Sequence, residues 1–377
     1  MTQPLKIGLV LDDSLDRPDG VQQYVLTVGA WLSDQGHEVH YLVGQTVRTD
    51  LPNLHSLSRN ISVKFNQNRM RMPLPASRRQ LKAFLTAEKF DVLHVQMPYS
   101  PFLAGRIITS APAATAVVGT FHILPYSNLV AAANRVLAWW IHHSLRRFDA
   151  IMSVSSAAAK FARQVYGIDS QVVPNAVDIK RFKTAQPSRH EGLNILYLGR
   201  LVPRKGCRTL LEAVAKLQAT PKLPAYTVQI AGRGPLEESL KSYAAAQQID
   251  SCVNFLGFID EADKPKLMAG ADISVFPSSG GESFGIVLVE AMASGASLVL
   301  AGDNDGYRTV MGDFPDTLFA PTNADQLAEK LSYYILHAAE RRSLAAQLAK
   351  AAESYDSGVV GQQIVKLYRH ALQAKDR

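Results

Sequence analysis

Short runs rich in β-branched residues alternate with longer helical patterns, and this alternation constrains the chain more than any other feature. It begins with a strand pattern at 5–11, a helix over 20–35, a strand at 38–43, a helix near 77–88 and a strand at 91–96. It goes on with a strand at 115–120, a helix over 128–147, a strand at 150–154, a helix over 156–166 and a short strand at 171–173. Such a succession builds parallel sheets covered by helices. Residues 174–192 hold Pro174, Pro187 and mostly polar side chains, so they read as a linker. The pattern then restarts: strand 194–198, helix 207–218, strand 227–230, helix 236–248, strand 253–256, a segment at 264–268, strand 273–276, helix 284–294 and strand 297–300. The expectation is an α/β protein of two doubly wound domains, 1–178 and 179–355, with a final stretch 356–377 that turns at Tyr355-Asp356-Ser357-Gly358 into a helix over 359–374. Two such domains on a linker would face each other across a cleft, and open α/β sheets place ligands at the carboxyl ends of their strands.

Composition narrows the class. With 47% hydrophobic and 19% charged residues among 377, the chain can bury two full cores, which excludes a disordered or fibrous protein. Cys207 and Cys252 form neither a zinc spacing nor a disulfide framework, which fits a reducing compartment such as the cytosol. The N-terminus runs directly into a strand pattern with no secretory leader, and no apolar stretch reaches the length of a membrane span. The net charge of +7 is unevenly spread: between Asp50 and Glu88 no acidic residue offsets Arg59, Lys64, Arg69, Arg71, Arg78, Arg79 and Lys82. That segment is a candidate for an anionic surface. No aromatic-interleaved nucleic-acid motif accompanies it, so a nucleic-acid partner is not expected.

The chemistry concentrates in Ser278-Ser279-Gly280-Gly281-Glu282-Ser283-Phe284-Gly285-Ile286, which leads into Val287-Leu288-Val289-Glu290-Ala291-Met292-Ala293-Ser294-Gly295. This is a glycine-containing loop between a strand and a helix. The amides of Phe284, Gly285 and Ile286 would be the unsatisfied donors of the helix start and would favour a phosphate. Glu282 precedes that end, and Glu290 lies roughly 9 Å further along the axis at 1.5 Å per residue. Two carboxylates so placed can hold hydroxyl groups on either side of a diphosphate, one set on a ribose and one on a sugar.

These residues resemble the Glu-x7-Glu motif of glycosyltransferase family 4, retaining enzymes of the GT-B fold, and the resemblance extends over nearly the whole chain. Gly199-Arg200-Leu201 followed by Lys205-Gly206 is similar to the family's loop after the first strand of the second domain. An Arg fork and a Lys point charge there would neutralise a leaving diphosphate. Arg204 is no part of that motif. Ala231-Gly232-Arg233-Gly234-Pro235, Val173 to Asp178 and Tyr355-Asp356 also match family positions, and the last of these implies a C-terminal helix crossing back to the first domain. In the first domain Gly119-Thr120-Phe121-His122 resembles the family's Thr-Phe-His, which implies that His122 contacts the donor sugar. Pro18-Asp19-Gly20-Val21-Gln22 resembles its glycine loop, with Gly20 as the backbone approach to the diphosphate and Asp19 standing where the family has glycine. The resemblance also implies base recognition by backbone near Gly257 and Ile259.

Val92-Leu93-His94-Val95-Gln96-Met97-Pro98 is similar to the bacterial phosphatidylinositol mannosyltransferases within the family, which keep a basic segment just upstream. Arg69, Arg71, Arg78, Arg79 and Lys82 then become a candidate membrane surface. Trp139 and Trp140, with Arg135, Arg146 and Arg147, form a possible interfacial anchor. Tyr99 and Ile123 depart from the smaller polar residues of the inositol-recognising members. Asp303-Asn304-Asp305 has the form of a metal motif of another glycosyltransferase fold, yet the resemblance assigns the charge to Arg and Lys, so no cofactor and no essential metal is expected.

The function expected is a retaining transfer of mannose or glucose from a nucleotide sugar, GDP-mannose or UDP-glucose, to a lipid at the inner face of the cell membrane. The alternatives are a soluble or polysaccharide acceptor, and a nucleotide-sugar or lipid-surface binding protein without turnover. The intact set Arg200, Lys205, Glu282 and Glu290 argues against lost turnover. No motif of the chain encodes the base, the sugar, the acceptor or the oligomeric state.

Overall fold

The computed structural model describes residues 3–17, 19–65, 68–96, 98, 100–122, 137–139, 141–187 and 192–375, with the backbone alone for those between 62 and 72. The chain divides into two units, Met1–Ala176 with Ser357–Arg377, and Val177–Asp356.

In the first unit the described elements are β1 (Lys6–Leu11), α1 (Gly20–Asp34), β2 (Glu38–Val43), β3 (Leu54–Ser56), a hairpin of β4 (Asn60–Phe65) and β5 (Asn68–Pro73), α2 (Arg78–Glu88), β6 (Val92–Val95), α3 (Leu103–Ser110), β7 (Ala116–Phe121), β8 (Ala150–Ser153), α4 (Ser156–Phe161) and β9 (Gln171–Val172). Strands β3-β2-β1-β6-β7-β8-β9 form one parallel sheet in that order. Successive side chains of a strand point to opposite faces, and here both faces are covered. Ile7, Leu9 and Leu11 join Val92, Val118 and the α1 residues Tyr24, Val25, Val28 and Leu32 in one core. Val10 joins Leu93, Val95, Val117, Leu81 and Leu85 of α2, and Ile107 and Ile108 of α3 in the other.

The second unit repeats the design: α5 (Ile179–Lys183), β10 (Leu193–Leu198), α6 (Cys207–Leu217), β11 (Tyr226–Ala231), α7 (Glu237–Ala246), β12 (Val253–Gly257), α8 (Lys264–Ala269), β13 (Ile273–Phe276), α9 (Ile286–Ala293), β14 (Leu298–Gly302), α10 (Arg308–Met311), β15 (Leu318–Phe319), α11 (Ala324–Leu336) and α12 (Ala338–Ala352). Its sheet runs β12-β11-β10-β13-β14-β15 and is parallel throughout. These are two Rossmann-like domains, the composition of the GT-B fold.

The segment 174–192 is not a plain linker. Within it Asp178 caps a single helical turn by accepting from the Arg181 amide at 3.1 Å, and Ile179 and Phe182 bury the inward side of α5. A turn this short leaves no period to detect. The last helix, α13 (Ser357–Gln373), belongs to the first unit. Val360, Ile364, Leu367, Tyr368 and Ala371 form its apolar stripe and enter the α1 core. Gly361 is required there, because a Cβ would lie 2.3 Å from the Trp31 ring.

Candidate active site

At the carboxyl end of β10 the chain makes a 3-10 turn, Pro203–Lys205, and ends it with Gly206 in the left-handed region at φ 71°. A Cβ on Gly206 would meet the Pro277 carbonyl at 2.0 Å, so glycine lets this loop lie directly on the loop that follows β13. Hydrogen bonds join the same two loops: the Arg204 carbonyl accepts from Ser279 N at 2.8 Å and from Ser278 Oγ at 3.1 Å. Two cations of one loop thereby meet one carboxylate of the other. Glu282 Oε1 lies 2.6 Å from Arg204 Nη1, 2.9 Å from Lys205 Nζ and 2.8 Å from Ser278 Oγ.

Charge decides the protonation states. Burial alone would raise the Glu282 pKa, but the neighbouring charges of Lys205 and Arg204 outweigh it and hold the carboxyl at about 2. Burial pushes Lys205 down, Glu282 pulls it back up, and Arg204 and Arg200 add to the depression. Arg200 thus belongs to the same electrostatic cluster, and its carbonyl accepts from the Tyr197 hydroxyl at 3.1 Å. The cluster carries excess positive charge, which suits an anion.

The helix start adjoining Glu282 begins later than the sequence suggests. Phe284 is buried beneath the turn, Gly285 takes the N-cap position at φ 102°, and α9 starts at Ile286. A helix start leaves its first amides without internal acceptors. Glu290 is the fifth residue of α9 and is buried; Lys264 Nζ of α8 stands 2.7 Å from its Oε1 and 2.8 Å from Glu261 Oε2. Gly257 ends β12 and its carbonyl accepts from Gly232 N at 2.7 Å; Ile259, two residues on, is half-buried.

In the first unit His122 follows β7 and is buried. Its Nε2 lies 2.9 Å from Gln96 Oε1, and Tyr24 packs edge-on at 4.9 Å between ring centroids. Burial pushes the His122 pKa down to about 3, so the ring is neutral and acts through hydrogen bonds. His94 lies in the same buried region, bonded to Thr120 Oγ1 at 2.6 Å and to the Tyr368 hydroxyl of α13 at 2.7 Å. Gly20 is the exposed first residue of α1; Pro18 lies outside the described residues.

Other sequence features find different places. Asp303 pairs with Arg308, at 2.7 Å between Oδ2 and Nη2, and the Asn304 amide donates to the carbonyls of Ser278 and Gly302. This triplet therefore ties the Glu282 loop to β14. On α2, Arg78, Arg79 and Lys82 are exposed while Leu81 and Leu85 face the core. Arg69 sits opposite Lys64 and Arg71 opposite Ser62 in the β4–β5 register, and their side chains lie outside the described residues. Trp139 is 82% exposed. Arg147 does not share that surface role, because it pairs with Asp149 at 3.1 Å and bonds the carbonyls of Pro112 and Thr115. Arg135, Trp140, Tyr99 and Ile123 are outside the described residues. Among the described residues no helix is long and apolar enough to cross a membrane.

Arg204 and Lys264 are the partners that motif reading missed. A signal for Arg204 existed in the adjacent pair Arg204-Lys205 ahead of a helix start. Lys264 is separated from Glu290 by a strand and a loop, and only the fold joins them.

Comparison with known proteins bears on the fold and the family. Residues 178–354 match the family model "Glycosyl transferases group 1", and residues 18–181 match "Glycosyltransferase Family 4". The chain is 33% identical over 371 residues to a phosphatidyl-myo-inositol mannosyltransferase of Mycolicibacterium smegmatis, covering 97% of this chain and 93% of that protein. Sucrose-phosphate synthase from Thermosynechococcus elongatus superposes with a TM-score of 0.75 at 19% identity, over 98% of this chain and all (100%) of the other. Anabaena HepE in complex with UDP-glucose gives a TM-score of 0.70 at 19% identity, over 96% and 98% of the two chains. With two Rossmann-like domains, the paired glutamates on either side of a helix start and a relative that spans almost the full length, this chain is an enzyme of glycosyltransferase family 4.

Proposed function

We propose that the protein transfers mannose from GDP-mannose to a membrane lipid of the inositol phospholipid class, with retention of configuration at the anomeric carbon. The observation that carries the donor half is the excess positive cluster of Arg200, Arg204 and Lys205 beside the start of α9. The acceptor half is supported by the near full-length likeness to a phosphatidyl-myo-inositol mannosyltransferase. UDP-glucose is the second donor to test, since a protein of the same fold is known in complex with it.

In this reading the nucleotide diphosphate lies at the α9 start, where the amides near Phe284, Gly285 and Ile286 meet it together with Arg200 and Lys205. Those donors stabilise the charge that develops as the sugar departs, the largest single contribution in such sites. Glu282 accepts from sugar hydroxyls and Glu290 from the ribose. Gly257 and Ile259 face the base, Gly20 brings backbone to the diphosphate, and the neutral His122 bonds the sugar. The acceptor hydroxyl attacks on the face from which the nucleotide leaves. Fixed cations and helix amides do the work of a metal, so turnover survives chelation by EDTA. The exposed cations of α2, continued by Arg69 and Arg71, hold the enzyme at an anionic leaflet.

The test incubates the protein with radiolabelled GDP-mannose or UDP-glucose and vesicles with or without phosphatidylinositol. Label should pass to the organic phase only with phosphatidylinositol present, as an α-linked product by NMR. Label confined to the aqueous phase with a sugar acceptor would replace the lipid reading by the soluble-acceptor one. No transfer and no donor hydrolysis under any condition would leave a binding protein.

A further inference from the structure

We propose that Arg204 is a positioning residue: it keeps Glu282 in place and neutralised, so that Lys205 can leave that carboxylate for the diphosphate of the donor. The proposal rests on the donor site described above and adds a residue that the family motif does not contain. Three donors converge on one oxygen of Glu282, those of Arg204, Lys205 and Ser278. The three charged side chains are only 11%, 18% and 13% exposed for Arg204, Lys205 and Glu282. Two cations on one carboxylate leave one positive charge to spare, and the two are anchored differently.

Arg204 is fixed at both ends. Its backbone carbonyl accepts from Ser279 N and from the hydroxyls of Ser278 and Ser279, at 2.8, 3.1 and 3.3 Å. Its Nη1 also reaches the Gly280 carbonyl at 3.4 Å. Lys205 Nζ has Glu282 as its partner among the described residues, on a flexible stem that can turn to an incoming anion. A buried carboxylate stripped of its last cation is strongly destabilised. With Arg204 in place, the departure of Lys205 leaves an intact Arg–Glu pair. Without Arg204, Lys205 becomes the remaining countercharge and is held back from the diphosphate. The buried Nε of Arg204 finds no acceptor among the described residues, which defines the rival: direct contact of Arg204 with the nucleotide.

A double-variant comparison separates the two. GDP and UDP are titrated calorimetrically into the wild type, Arg204→Gln, Glu282→Gln and the double variant. Arg204→Gln alone should weaken the nucleoside diphosphate on the order of tenfold, the scale of one charge-assisted contact. In the Glu282→Gln background the same change should cost less than about twofold, because no carboxylate remains to retain Lys205. Arg204→Lys, which keeps the charge, should stay within about threefold of wild type, and Arg204→Met, which removes it, substitutes for the Gln variant in both backgrounds if that variant does not fold. Equal losses in the two backgrounds would assign Arg204 to the nucleotide directly, and no loss in either would reduce it to a structural role; each overturns the proposal. Failure of the wild type to bind GDP and UDP is a different result, which removes the donor site itself.

Discussion

Lys264 Nζ and Glu290 Oε1 are 2.7 Å apart, with the two side chains 9% and 7% exposed. Burial by itself would lower the Lys264 pKa, and the carboxylates of Glu290 and Glu261 overcome this and raise it, so the ammonium stays charged. Removing one member of such a pair strands the other charge in a dry environment, at a cost of about 3–5 kcal/mol. Lys264→Ala should therefore lower the stability of the second unit by about that amount in urea denaturation and should weaken nucleoside diphosphate binding through a displaced Glu290. An unchanged urea midpoint together with unchanged affinity would show that Lys264 supports neither.

The cluster around Glu282 separates binding from turnover. Lys205→Ala should reduce turnover by roughly 10²-fold or more, the scale of one preorganised charge contact, without unfolding the protein. Glu290→Gln should weaken nucleoside diphosphate binding, whereas Glu282→Gln should leave that binding intact and impair sugar transfer. Equal losses of affinity in the two Gln variants would contradict their division between ribose and sugar.

Asp12, in the first unit, offers a pH test. It accepts from the Ala104 amide at 2.8 Å and from the Ser100 hydroxyl in a tight contact, and burial raises its pKa from 3.8 to about 7. Between those values the unfolded chain has lost the proton and the folded chain keeps it. The folded-state advantage is thus complete below about pH 4 and is lost as the pH rises through 7. Asp12→Asn mimics the protonated acid, so it should raise the melting temperature at pH 8 by at least about 2–4 °C, the equivalent of 1 kcal/mol in a chain unit of this size. At pH 4 the gain should vanish. A gain of the same size at both pH values would exclude titration as its origin.

Membrane attachment has its own measurement. Liposome binding should rise with acidic lipid and fall with salt, because screening shortens the reach of surface charge to about 8–10 Å at moderate ionic strength. Replacing Arg71, Arg78, Arg79 and Lys82 together by Ser should lower binding and activity on a bilayer acceptor while leaving donor binding alone. Indifference of the wild type to acidic vesicles at low salt would count against the lipid surface.

The sequence was most legible in the order of strands and helices and around one helix start: Glu282 and Glu290 stand before and within a helix capped by a glycine, as their spacing announces. Partners supplied by the fold were not legible. Helix α3 has Phe102 at its N-cap and no cap bond from that side chain; its first turn is held instead by Asp12, 92 residues away. Nothing local announces that helix, and the sequence left 103–110 unassigned. Helices α11 and α12 were also left unassigned, and α5 was hidden by its single turn.

Tyr368 of α13 reaches the buried His94 through a hydrogen bond of 2.7 Å, and its neighbours complete the core built on β1 and α1. The first unit is therefore discontinuous in sequence, while Val177–Asp356 is contiguous. Residues 1–176 are synthesised before the second unit, yet the side of their sheet that α13 covers stays exposed until 357–375 has also been made. An N-terminal fragment ending near Ala176 should consequently aggregate, and supplying the 357–375 peptide in trans should rescue its solubility.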